Sequence, residues 1–130
     1  MPAVECEYEV LPDQIHVLTF HQLNEAALNQ CFAYLHTIFQ EAPRDQPLRL
    51  LSDITIREMP PIKELWQLTR ALLADFPQRP PIHNAVLYVD DSSRAPFISL
   101  MNMLAEFFGA QARIFWREDR QQAIRWLLES

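Results

Sequence analysis

A single glycine, Gly109, serves all 130 residues of the chain, and this scarcity excludes more than any other count. Loops that cradle phosphate need several glycines, so neither a P-loop nor a dinucleotide fingerprint can be written here. A Gly-x-Ser-x-Gly nucleophile elbow is equally impossible. Basic residues are missing from the start of the chain. The first 43 residues hold six acids (Glu5, Glu7, Glu9, Asp13, Glu25, Glu41) and no Lys or Arg, while the rest holds eleven of each sign. The whole net charge of −6 therefore sits in the first third. No basic stripe offers itself to a phosphate backbone, which argues against nucleic acid as a partner. The acidic end reads as a solvated surface, or else as a patch for a cationic partner. The two cysteines, Cys6 and Cys31, lack CxxC spacing and fall on apolar faces. That is how small hydrophobic residues of a reducing compartment behave. No apolar run approaches the roughly 18 residues of a membrane-spanning helix. The chain opens on acids rather than on a basic, then apolar, leader. These readings place it in the cytoplasm with no integral membrane segment.

What the chain does have is a hydrophobic fraction of 49%, enough for a packed core in one domain. Glu5 to Val10 alternates acid with apolar or thiol residues, the period of a strand with one wet face. Leu11-Pro12-Asp13-Gln14 turns the chain into a second strand, Ile15 to Phe20. Asn24 is placed to cap a first helix whose apolar face runs through Leu28, Cys31, Phe32, Leu35, Ile38 and Phe39. Leu48 to Ile54 reads as a third strand. Pro60 and Pro61 then open a second helix carrying Ile62, Leu65, Trp66, Thr69, Leu72, Leu73 and Phe76. Pro77 to Asn84 reads as a connector, and Ala85 to Val89 as a strand covered on both faces. A third helix spans Ala95 to Phe108, with Gly109 where a left-handed cap wants glycine. Ala112 to Trp116 makes a fifth strand. A last helix carries Ala123, Ile124, Leu127 and Leu128 inward. The order ββαβαβαβα predicts an α/β domain, a mostly parallel five-stranded sheet with an N-terminal hairpin and about four helices.

That order resembles the STAS fold of anti-sigma-factor antagonists and of sulfate-transporter cytoplasmic domains. The resemblance is carried by Asn84-Ala85-Val86-Leu87-Tyr88-Val89-Asp90-Asp91, the apolar helix after it, and Ala112-Arg113-Ile114-Phe115-Trp116. The final helix, with Ala123-Ile124-Arg125-Trp126-Leu127, is similar to the close of the SpoIIAA-like subgroup. These are packing signatures, specific for fold rather than activity. Phospho-switch antagonists carry an Asp-Ser-Ser-Gly-like motif where the second helix begins. Here Thr55-Ile56-Arg57-Glu58-Met59-Pro60-Pro61 stands instead, without serine or glycine. The resemblance therefore implies an interaction or regulatory module lacking that switch.

Ligands of open α/β sheets gather beyond the carboxyl ends of the strands. Asp53, Thr55, Asp90, Asp91 and Ser92 fall there and form a candidate polar pocket. Three carboxylates could hold magnesium. A receiver-type phosphoacceptor site also wants a lysine after the last strand, and Lys63, the only lysine, lies in the second helix. Loop acids that turn the chain and cap helices are the commoner explanation, so no metal or cofactor is expected. The four histidines, His16, His21, His36 and His83, lack ligand spacing. His16 reads as a packed, hydrogen-bonded residue. Cys31 and His36 lie five apart on one helix and point in different directions. No reaction is implied, and the chain reads as non-enzymatic.

The third helix is the most informative element. Ser99, Asn102 and Glu106 form one narrow polar stripe. Phe97, Met101, Leu104 and Phe108 are expected to face the sheet. Ile98, Ala105 and Met103 then fall on the flanks, with Leu100 and Phe107 on one shoulder. A helix covering one side of a sheet needs an apolar arc of only about 100°. Neighbouring helices could bury both flanks. The alternative takes Ile98, Leu100, Met103 and Phe107 as a surface for a protein partner or a second copy. An apolar ligand or lipid, with transient membrane association, is the second functional reading. It draws on the SpoIIAA-like group, which shares features with a class of lipid carriers.

Overall fold

Alternation in the first strand and near-continuous apolar runs in the next ones build a sheet that is wet at one edge and covered in the middle. The computed structural model describes residues 4–54, 59–88 and 94–130. Its strands are β1 (Cys6–Leu11), β2 (Ile15–Phe20), β3 (Leu48–Ile54), β4 (Ile82–Tyr88) and β5 (Ala110–Trp116). The helices are α1 (Glu25–Glu41), α2 (Ile62–Asp75), α3 (Arg94–Phe108) and α4 (Arg120–Glu129). The five strands lie side by side in chain order. The expected mostly parallel sheet is corrected to a mixed one. β1 runs antiparallel to β2 because a tight turn joins them, while β2 through β5 are parallel. Asp13 and Gln14 in that turn both have positive φ, 66° and 59°.

Successive crossovers of one hand carry their helices to one face. Accordingly α1, α2 and α3 share a core with Leu18, Phe20, Leu50, Ile54, Ile82, Val86 and Tyr88. The alternate residues Ile15, Val17, Leu51, Ala85, Leu87 and Phe115 point the other way, against Ala123 and Leu127 of α4. Asn24 caps α1 by accepting a hydrogen bond from the Ala27 amide at 2.9 Å, and every apolar residue expected on that helix is buried. Gly109 ends α3 at φ 65°.

Some boundaries move. β4 starts at Ile82, inside the expected connector, because Ile82, His83 and Asn84 pair in register with Leu48, Arg49 and Leu50. β5 starts at Ala110 for the same reason, opposite Ile82. Leu128 is exposed rather than inward. Ala123 and Leu127 carry the inner face of α4, and Trp126 packs beside Phe115 at 6.0 Å between ring centroids. Among the described residues, no helix is long and apolar enough to cross a membrane.

Candidate functional site

Between the sheet and the helix layer lies an apolar cavity of about 130 Å³. Its floor is one face of the sheet: Leu18 and Phe20 from β2, Leu50, Ser52 and Ile54 from β3, Ile82 and Asn84 from β4, Ala110 and Ala112 from β5. Its roof comes from Leu28, Cys31, Phe32, Leu35 and Phe39 of α1, Leu65 of α2, and Phe97, Met101, Leu104, Ala105 and Phe108 of α3. The void follows from side-chain size. At the void the last strand contributes only the methyl groups of Ala110 and Ala112, with the larger Ile114 packing elsewhere on the same core, and α3 answers with Ala105. Meanwhile α2 leans chiefly on α1 rather than on the sheet, so it does not fill the gap. An interior otherwise packs like an organic crystal, and a void this size leaves its lining short of partners.

The lining is not equally enclosed. The wall residues from α1, α2, β2 and β3 are buried. Those that keep solvent contact are Met101, Leu104, Ala105 and Phe108 of α3, Ala110 and Ala112 of β5, and Asn84. The cavity therefore opens along the α3–β5 edge. Among the described residues, only Ser52 and Asn84 bring side-chain nitrogen or oxygen to it, and they face each other, Ser52 Oγ donating to Asn84 Oδ1 at 2.9 Å. No Lys, Arg, His, Asp or Glu among the described residues lines it.

Cys31, in the roof, meets Cys6 of β1. The two thiols are free and buried, and the hydrogen bond between Cys31 and Cys6, which favours the protonated Cys31 thiol, together with burial holds Cys31 well above its ordinary range. A thiol so held is a poor nucleophile. His36, the other half of the cysteine–histidine idea, turns away to Asp75 at 3.5 Å and to the edge of Phe76. His16 is hydrogen-bonded to the Tyr8 hydroxyl through Nδ1 at 2.7 Å. Burial lowers the His16 pKa, partly offset by Glu41, and raises that of Tyr8.

The residues singled out on α3 separate. Met103 and Phe107 are 52% and 49% exposed, and Phe107 rests on Trp66 of α2 at 4.8 Å. Ile98 is half-buried. Leu100 is a correction: only 6% exposed, it belongs to the core, because its position on α3 turns it to the sheet side near Phe97. Of the strand-end set, Asp53 is buried, with Oδ2 3.5 Å from Arg120 Nη1 and Oδ1 without a hydrogen-bond partner. Thr55, Asp90, Asp91 and Ser92 lie outside the described residues. Among the described residues no group of three or more His, Cys, Asp or Glu is arranged to hold a metal ion.

Sequence reasoning missed the cavity and its polar pair. The signal available was the short residue at inward positions of strands otherwise rich in Leu and Ile: Ser52, Ala110 and Ala112. It also missed a second, polar hollow of about 350 Å³ at the opposite end of the sheet, walled by Asp13, Gln14, His16, Gln46 and Arg49 among others. There Arg49 Nη1 donates to the Asp13 carbonyl at 3.4 Å. Comparison of the chain with protein-family models, curated proteins and solved structures finds no match.

Proposed function

We propose that this chain is a STAS-like, non-enzymatic domain that binds a small apolar molecule between its sheet and the α1–α3 layer. The observation that carries the reading is the cavity: about 130 Å³, apolar in its described lining apart from Ser52, Asn84 and the Cys31 thiol, and open at one edge. Apolar cavities of about 150 Å³ stay dry and take up benzene-sized guests, since water has nothing to bond to there. The capacity suits a compact molecule or the end of a chain rather than a whole lipid. The STAS-like assignment is supported by the element order and by the packing of Ala123 and Leu127 beneath β3–β5. Titration with benzene, followed by methyl and aromatic NMR signals, tests the reading. Saturable shifts confined to residues such as Leu35, Met101 and Leu104 are expected. Unchanged spectra up to the solubility limit would overturn it.

A second reading has its own observation. Ile62 and Trp66 of α2 and Met103 and Phe107 of α3 put apolar side chains on the outer surface, with the Trp66 and Phe107 rings in contact. Such a ridge suits a second copy of the chain or a protein partner. Sedimentation of the wild type and of Met103→Glu decides it: concentration-dependent dimerisation lost in the variant supports an interface. A wild type that stays monomeric at all concentrations rules out the second copy.

A further inference from the structure

We infer that the molecule taken up by the cavity is neutral and carries one hydrogen-bond-accepting oxygen, which it places against the amide of Asn84. The inference rests on the apolar-ligand reading and adds the chemistry that the site would select. Strand positions facing an apolar core are normally hydrocarbon, because a polar group there costs free energy unless bonded. Ser52 meets that requirement, since its hydroxyl donates to Asn84 Oδ1 at 2.9 Å. The bond uses the serine proton and one side of the amide oxygen. Among the described residues no hydrogen bond from the Asn84 NH₂, which has two hydrogens to donate, accompanies it. An amide locked at one end and unengaged at the other is a preorganised donor.

Position sets the orientation. Asn84 belongs to the half-exposed part of the lining, on the α3–β5 side, while Ser52 behind it is buried. The oxygen of the guest would therefore stay near the opening, with its hydrocarbon directed at the wholly apolar wall from α1 and β2. Charge sets the second limit. Among the described residues no cationic side chain lines the cavity, so against this lining a carboxylate or phosphate would be desolvated without compensation. Ketones, ethers and esters of about six to nine non-hydrogen atoms fit these terms, judged from the benzene-sized guests of similar cavities.

Cyclohexanone and methylenecyclohexane have nearly the same shape and differ in =O against =CH₂, so they isolate the oxygen. Binding of both is measured by NMR titration to the wild type, Asn84→Ala and Ser52→Ala, with thermal unfolding to confirm that each variant folds. The ratio of the two dissociation constants should shift against cyclohexanone by about tenfold in Asn84→Ala, the worth of one hydrogen bond. Ser52→Ala, which frees the amide to rotate, should shift it less. In the wild type the Asn84 side-chain NH₂ signals should move on adding cyclohexanone and stay put with methylenecyclohexane, a result that needs no variant. If both probes bind and neither the ratio nor the NH₂ signals respond to the oxygen, the acceptor inference fails and the apolar-ligand reading stands. If neither probe binds the wild type, both fall.

Discussion

Gly109 sits at φ +65°, yet the space its missing Cβ would occupy is empty to 4 Å. The requirement for glycine is therefore conformational, not steric, and Gly109→Ala should cost about 1–2 kcal/mol from backbone strain alone. Urea denaturation measures it. Gly109→Asn should recover part of the loss, because asparagine tolerates the left-handed region. His83 offers a second residue-scale test. It lies buried between Arg49 on β3 and Trp126 on α4, with Nδ1 unbonded. Burial, then the Arg49 guanidinium, lowers its pKa from the usual 6.5. Unfolding restores that value, so as the pH falls the unfolded chain takes up the proton first. The contribution of His83 is full above about pH 6.5 and is lost below it, and His16 is shifted the same way. The wild-type melting temperature should fall from about pH 7.5 to about pH 5.5, and His83→Gln should flatten that slope. A slope unchanged in His83→Gln would assign it to other groups.

Helix α1 shows how an element can be read from local rules alone. An asparagine cap and an unbroken 3.6-residue stripe fix both its start and its buried face, and the structure places the Asn24 oxygen on the Ala27 amide as that pattern requires. Asn24→Ala should cost about 1 kcal/mol. The starts of β4 and β5 were not legible in the same way. His83 and Asn84 are polar, and only pairing with β3, remote in sequence, draws them into a strand. The ends of α3 were legible and its surroundings were not. Periodicity gives the angle at which each side chain leaves the helix, but not what stands opposite. Part of the excess apolar arc is met by the sheet, part lines the cavity, and Met103 and Phe107 remain on the surface. Two substitutions separate these fates. Phe97, buried and stacked on Tyr88 at 3.9 Å with the rings 3° apart, should cost about 3–5 kcal/mol as Phe97→Ala. Met103→Glu should leave the monomer's stability within about 0.5 kcal/mol. A large loss in Met103→Glu would mean that its side chain is part of the core.

At the scale of the molecule, three crossovers on one face crowd α1, α2 and α3 over the sheet, while α4 alone covers β3 to β5 on the other. The acids of the first third fall just before and on β1, in its turn and on α1, so one edge of the sheet is negative, and exposed Glu7 and Glu9 discourage pairing with another chain there. The cavity belongs to this scale too. It exists because α2 rests on α1 and because Ala105 meets Ala110 and Ala112, a coincidence of elements far apart in sequence that no single segment could announce. Packing alone would favour closing such a void, since each buried methylene contributes up to about 0.8 kcal/mol. A binding site, by contrast, keeps the space at the expense of stability. Ala112→Val distinguishes the two cases. It adds two carbons to the floor, on a strand where a β-branched side chain sits comfortably. With the void kept as a binding site, the variant should gain about 1 kcal/mol in denaturant unfolding and lose most of its affinity for benzene. A destabilised Ala112→Val would mean that the floor is already filled in solution. A stabilised variant that still binds benzene as the wild type does would move the binding site away from β5.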